Sequence, residues 1–331
     1  MTASVPKGRQ AYYLRLAAAV AGLIALVVVV NVFTHGSFLS PTNIVNVLRQ
    51  ITYNVMLAIG QTFVIITAGI DLSVGSLVTL CGVVMALFAN ATGLSGIWLV
   101  IATVLVGMGV GAAAGTINAI PVVTLRLPPF ITTLAMMLMA RGLAYILSPG
   151  PVQLKSDAFN TIGIGFAFSG LFGLPGIPVS VILMAVVAVI LATVLGRMRV
   201  GRYLYAIGGN EEAARLAGVP VARVKTLAYV ISGMCASIAA LLLMSLFGSG
   251  APQTGLGFEL PAIAASVVGG TSLMGGRGTV VGTFFGALLI GVLNNVMNLL
   301  NIQSYTQEVV LGLVILIAVV LDELRKRYLT R

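Results

Sequence analysis

Long apolar runs divide the chain, and each is close to the length a bilayer demands. Ten are expected to span it, at roughly 16–34, 51–70, 73–92, 97–119, 129–147, 178–196, 226–247, 258–271, 278–300 and 306–321. Crossing the hydrocarbon core as a helix takes ~20 apolar residues. Composition agrees: of 331 residues, 59% are apolar and 8% charged, against ~25% charged in soluble domains. The fold class expected is all-α and polytopic, a single transmembrane domain over 1–331. The eighth run, 258–271, is short and reads as a possible broken or re-entrant element. Lys7, Arg9 and Arg15 precede the first run, which is too long for a signal peptide and lacks a small-x-small cleavage site. It reads as a retained span.

Positive charge sets the orientation. With the N-terminus (1–15) in the cytoplasm, alternation puts Lys7, Arg9, Arg15, Arg126, Arg197, Arg199, Arg202, Arg215, Arg223, Lys225, Arg277, Arg325, Lys326, Arg327 and Arg331 on that side. These are 15 of the 18 basic residues, leaving Arg49, Arg141 and Lys155. The reverse orientation violates the positive-inside rule. The net charge of +10 is therefore topology and contact with anionic lipid, with no nucleic-acid partner required. The tail, 322–331, is cytoplasmic by the same reasoning.

Only one long polar interval separates the runs, the cytoplasmic loop 197–226. Within it, Gly208–Val219 reads GGNEEAARLAGV. Asn210 suits an N-cap, Glu211 and Glu212 fall in the first turn, and Gly218 ends the helix. Two turns fall well short of the ~12–15 residues at which an isolated helix becomes marginal. The segment reads as a docking helix for a soluble partner, or else as a surface loop with one helical turn. On the other side lies the external loop 148–177, with Lys155, Asp157 and a Gly-rich run. It is either a contact for an external partner or a passive connection. Ser40–Pro41 opens a stretch expected to lie at the interface, with Ile44, Val47, Leu48 and Ile51 on one face and Arg49 at headgroup level.

Polar residues inside apolar runs ask for a reason. Asp71, in ITAGIDLSVGS with Ser73, is read as an N-cap for the third span or a polar gate. Arg141 is read as a lock on the bundle or a pathway donor, with Glu259 as a possible partner. Gln61 and Thr62 interrupt span two, and Asn294, Asn295 and Asn298 interrupt span nine. Amides there suit a hydroxyl-rich solute or interhelical hydrogen bonds. Phe130, Met136, Met137 and Met139 are read as core, or as an adaptable pathway lining. Cys81 and Cys235 are read as small core residues without a disulfide.

With one histidine, His35, no catalytic order or His-rich metal site assembles. GGTSLMGGRGT at Gly269–Thr279 resembles a phosphate loop but lacks GK followed by Ser or Thr. Gly69–Gly75 and Gly269–Gly276 are two Gly-rich breaks of similar kind. With no site for ATP, and Asp71 and Glu259 as the only intramembrane carboxylates, energy is expected to enter through a docked partner.

Four stretches carry a resemblance: ITAGIDLSVGSL at Ile66–Leu77, FITTLAMMLMARGLAY at Phe130–Tyr145, GRYLYAIGGNEEAARLAGV at Gly201–Val219, and Phe258–Leu300. In that order they resemble the membrane subunits of bacterial ribose-type ABC sugar importers. Pro261 departs from the family, which commonly has Asp after Glu–Leu. The resemblance implies two permease subunits, alike or paralogous, around one pathway, and a layout similar to vitamin B12-type importers. It implies a periplasmic sugar-binding protein and a cytoplasmic ABC ATPase subunit that carries ATP and Mg, with no cofactor in this chain. It places the ATPase on Gly209, Asn210, Glu211, Ala214 and Gly218, flanked by Glu212, Ala213 and Arg215. Related permeases move branched-chain amino acids, nucleosides or a furanone signal. A self-sufficient secondary transporter is the alternative of a different class.

Overall fold

The fold is that of a computed structural model, which describes residues 27–169 and 176–329. The segment 1–15 and most of the first expected span lie outside these; 27–33 is helical. Eleven further helices are used below: α1 Pro41–Ile66, α2 Val74–Ala91, α3 Gly96–Thr124, α4 Pro129–Leu147, α5 Val179–Arg197, α6 Arg199–Gly209, α7 Glu211–Leu216, α8 Val221–Phe247, α9 Glu259–Val268, α10 Val280–Leu299 and α11 Ser304–Leu329. Six of them, α2, α3, α4, α5, α8 and α10, are long and apolar enough to cross a membrane.

Each start and stop has a local cause. Ser40 caps α1, accepting from the Asn43 amide at 3.4 Å, and Pro41 takes the first turn, where its missing N–H costs nothing. The buried stripe at this end is Asn43, Val47 and Ile51, whereas Ile44 is exposed, so the expected face is rotated. α1 stops where Ala68 turns left-handed, at φ +61°. Thr279 caps α10, accepting from Gly282 at 3.0 Å.

At the centre, α8 packs against α1, α2 and α3, while α9 and α10 pack on the other side of α1. Close approach fixes the α3–α8 pair. Gly111 and Gly233 face each other so tightly that a Cβ on either would overlap the other's carbonyl. Small residues let helix backbones meet where lipid supplies no hydrophobic drive. α4 and α5 are the converse, with few of their residues buried: most apolar side chains of α4 are exposed and most of those of α5 only partly covered.

Several boundaries differ from expectation. α9 has ten residues, about half a bilayer at 1.5 Å each, so the eighth run is a half-length helix followed by a loop. The polar interval 197–226 is itself mostly helical, and α8 begins at Val221, taking in Arg223 and Lys225. α11 runs on into the expected tail, as far as Leu329. The all-α class needs one correction, two short antiparallel ladders. β1 (Val152–Gln153) pairs with β4 (Ser249–Gly250), and β2 (Phe166–Ala167) pairs with β3 (Ile177–Pro178). The first ladder ties the 148–177 loop to the chain just after α8, and the second pairs the loop with itself, so that loop amides find backbone partners. Arg49 joins them: it donates to the Ile164 carbonyl at 2.7 Å and lies 5.1 Å over the Phe166 ring. It thus ties the loop to α1.

Candidate functional site

Two arrangements converge at the C-terminal end of α1. The first is a buried polar knot in the break between α1 and α2. Asp71 is fully buried. One carboxylate oxygen accepts from the Ser73 amide at 3.0 Å and the Ser73 hydroxyl at 2.6 Å. The other accepts from the Ser232 hydroxyl on α8 at 2.8 Å. Asn118 of α3 donates to Ser73 Oγ at 2.9 Å. Gln61 of α1 bonds the Asp71 backbone on both sides, donating to its carbonyl and accepting from its amide at 3.4 Å. Thr133 of α4 donates to the Ile70 carbonyl at 3.1 Å. Four helices, α1, α3, α4 and α8, thus send side chains to seven residues of chain that hold no helix. Ser73, not Asp71, occupies the N-cap position of α2. The carboxylate instead braces the turn before it and reaches across to α8.

The second is the hairpin of α6 and α7. Asn210 caps α7, accepting from the Ala213 amide at 2.9 Å, and Gly218 ends it at φ +81°. Glu211 accepts from Arg215 at 2.9 Å and also binds Lys225 at the start of α8. Partial burial alone would push its carboxyl up; the two cations outweigh that and hold it below the usual glutamate range. Ala214 is buried, while Gly209, Glu212, Ala213, Arg215 and Leu216 are exposed. Of the residues expected to meet a partner, Ala214 therefore faces its own chain. Leu216, the only leucine in the stretch Gly208–Val219, is 83% exposed, and its isolation among polar and small residues is the signal in the sequence that marks it.

The hairpin is fastened to α1. Gly208 packs on the Ile66 carbonyl so closely that a Cβ there would overlap it. The Gly276 amide donates to that same carbonyl at 2.9 Å, and the Tyr205 hydroxyl donates to Gly278 at 2.7 Å. The loop between α9 and α10 thus sits beside the hairpin. Its amides point inward: Ser272 donates to Arg277 at 3.0 Å and Gly275 to Ser272 at 2.9 Å. A phosphate cradle presents its amides outward, so this loop is a fastening. Ile66 lies five residues before Asp71, and the two arrangements share one stretch of backbone.

The other expected residues fall elsewhere. Asn295 forms a reciprocal amide pair with Asn43, at 3.0 Å in each direction, and Asn298 accepts from Gln307 at 2.9 Å. Thr62 of α1 joins Ser266 of α9 and Thr283 of α10. Met136 is buried and Phe130 is 52% exposed. Arg141 and Glu259 form no ion pair with each other; among the described residues the ion pairs lie at Glu211 and Glu212. Glu259 instead lies against Gly75 of α2. Arg141 Nε, Asn294 Oδ1 and Glu259 Oε2 are buried without a hydrogen-bond partner among the described residues. Cys81 and Cys235 are both buried and free.

Six long apolar helices around buried polar contacts, with a charged hairpin at one end, define a multi-pass helical membrane protein. Comparison with known proteins narrows this. Residues 43–319 match the family described as branched-chain amino acid transport system, permease component, and the chain belongs to that permease family. It is 41% identical to the ribose import permease protein RbsC of Haemophilus influenzae over 305 residues, covering 91% of this chain and 90% of the relative. It is 44% identical to RbsC of Bacillus subtilis over 304 residues, covering 91% and 90%. The L-arabinose transport system permease protein AraH of Escherichia coli is 39% identical over 273 residues, covering 82% of this chain and 80% of the relative. No solved structure matches the chain.

Proposed function

We propose that this chain is the transmembrane subunit of an ABC importer that carries a monosaccharide, ribose-like or a hexose, across a bacterial inner membrane. The observation that carries the reading is the likeness, over nine-tenths of the chain, to permeases named for ribose import. The α6–α7 hairpin supports it, because a six-residue helix with one buried residue has little reason to protrude unless something grips it. In this reading a separate ABC ATPase subunit, holding ATP and Mg, docks on the hairpin at Gly209–Arg215 and Gly218. A periplasmic binding protein delivers the sugar to the opposite face, near the 148–177 loop. Both termini are cytoplasmic, and the ten spans expected from the apolar runs follow the vitamin B12-type layout. A second permease subunit completes the pathway. Arg141, Glu259 and Asn294 supply polar atoms unpaired within the described chain, which a facing subunit or the solute can satisfy. Gln61, Asp71 and Ser73 form the packed gate behind them.

Reconstitution with the ATPase and the binding protein tests this. Labelled ribose is expected to enter vesicles only with ATP, with allose and arabinose as competitors. Ala214→Arg is expected to abolish uptake and copurification of the ATPase, since a long cation cannot occupy that buried position. Uptake by the chain alone under an ion gradient would instead assign a secondary transporter. The family description favours one second reading, a branched-chain amino acid; leucine uptake with no ribose uptake selects it.

A further inference from the structure

The hairpin is not the only exposed element at its end of the molecule. The loop Thr271–Gly278 meets it with its own backbone, against α6 backbone and the Tyr205 hydroxyl. Gly275 lies against Gly208 and Ala68, and Gly276 against Gly209. Consecutive left-handed glycines, at φ +85° and +72°, make the turn that permits this contact. Thr271 and Ser272 are buried at its base, and Met274 stands at its tip, 70% exposed. Leu216 stands at the end of the hairpin at 83%. Two large apolar side chains are thus held out on one backbone-fastened platform. On the hairpin, the start of α8 and the loop itself, Arg199, Arg202, Arg223 and Arg277 are exposed and, among the described residues, form no ion pair. Glu211 is occupied within the hairpin, so Glu212 is the exposed carboxylate left to face them.

We propose that the loop Thr271–Gly278 is a second arm of the docking face, and that Met274 and Leu216 enter two apolar pockets of an ATPase partner with an acidic rim. The inference rests on the ATPase-docking reading above and extends it to an element outside the hairpin. Isolated apolar anchors ringed by charge match the organisation of protein interfaces, where a few central side chains carry most of the affinity. A lipid-inserting element presents a continuous apolar face instead. A six-residue helix with one large apolar tip and a tight glycine loop do not supply one.

Met274→Cys gives the test, because Cys81 and Cys235 are fully buried and do not compete for reagent. The full chain in nanodiscs is labelled with a membrane-impermeant maleimide, with and without the ATPase subunit. Labelling of Met274→Cys and Leu216→Cys is expected to slow at least about tenfold when the ATPase binds, with Asp157→Cys in the 148–177 loop unchanged. Met274→Glu is expected to weaken ATPase binding about thirtyfold or more, as loss of a hot-spot anchor does. Equal labelling of Met274→Cys in both states, with Leu216→Cys protected, overturns the second arm and leaves the hairpin reading standing. A Met274→Cys that never labels lies in lipid, which also overturns it. If the unaltered chain binds no ATPase at all, the reading beneath both has failed.

Discussion

Asp71 shows what one side chain does when it cannot reach water. Its carboxylate accepts three hydrogen bonds, two from Ser73 and one from Ser232, and so holds a non-helical turn against α8. Asp71→Ala would leave those donors unpaired in a packed interior, at ~1–3 kcal/mol for each buried group left unsatisfied. The expected loss is about 3 kcal/mol or more, read as a fall in the melting temperature of the detergent-purified protein. Asp71→Asn keeps an acceptor and is expected to cost about 1 kcal/mol, because the Ser232 hydroxyl can rotate to meet an amide. Equal melting of the two variants would remove the bracing role. That Asp71 mattered was visible from an acid inside an apolar run. Its partner across the bundle was not, because Ser232 lies 161 residues away in sequence, and Asn118, which holds Ser73, is 45 residues from it.

Elements differ in how much of them is local. The α7 helix was legible because Asn210, Glu211, Glu212 and Gly218 are signals read within a dozen residues. The α6 helix, Arg199–Gly209, was not, since its glycines and charges obscure a pattern completed only by burial of Leu204 and Ile207. Glu211 links this hairpin to α8, and its lowered folded pKa fixes the pH dependence. The contribution is present above the ordinary glutamate value of ~4.3 and is lost as pH falls through the lower folded value. The pair is half exposed, so the effect is expected to stay below ~1 kcal/mol. It would appear as a small melting difference between the unaltered chain and Glu211→Gln at pH 7 that vanishes in acid. The α3–α8 crossing depends instead on the absence of side chains. Gly111→Leu forces the helices apart, with an expected loss of about 1–3 kcal/mol or more, as overpacking costs. Gly109, whose Cβ would meet open space on the same helix, should accept leucine with little change.

At the scale of the whole molecule, the hairpin and the buried polar knot are joined through one stretch of backbone. Ile66 is gripped by Gly208 and Gly276, and five residues on Asp71 is gripped by Ser232. A load on the hairpin therefore meets a short irregular segment before it meets a helix. At this scale the unpaired Arg141 Nε has its consequence. Arg141→Met is expected to leave the melting of the isolated subunit within about 1 kcal/mol, since it removes no ion pair within the described chain. It should lower uptake by the assembled importer at least tenfold, provided that a facing subunit or the solute satisfies the guanidinium. Unaltered uptake would make Arg141 a bystander.

From the sequence alone came the membrane class, the positions of most apolar helices and the capped two-turn helix α7, because hydrophobic run length and helix caps act over neighbouring residues. The family resemblance came from four ordered motifs. Tertiary structure alone decided that Asp71 reaches α8 and that Glu259 lies on Gly75 rather than beside Arg141. It also decided that the loop before α10 lies beside the hairpin. Those facts depend on how closely glycine-lined backbones approach across long stretches of chain, and neither periodicity nor capping records that distance.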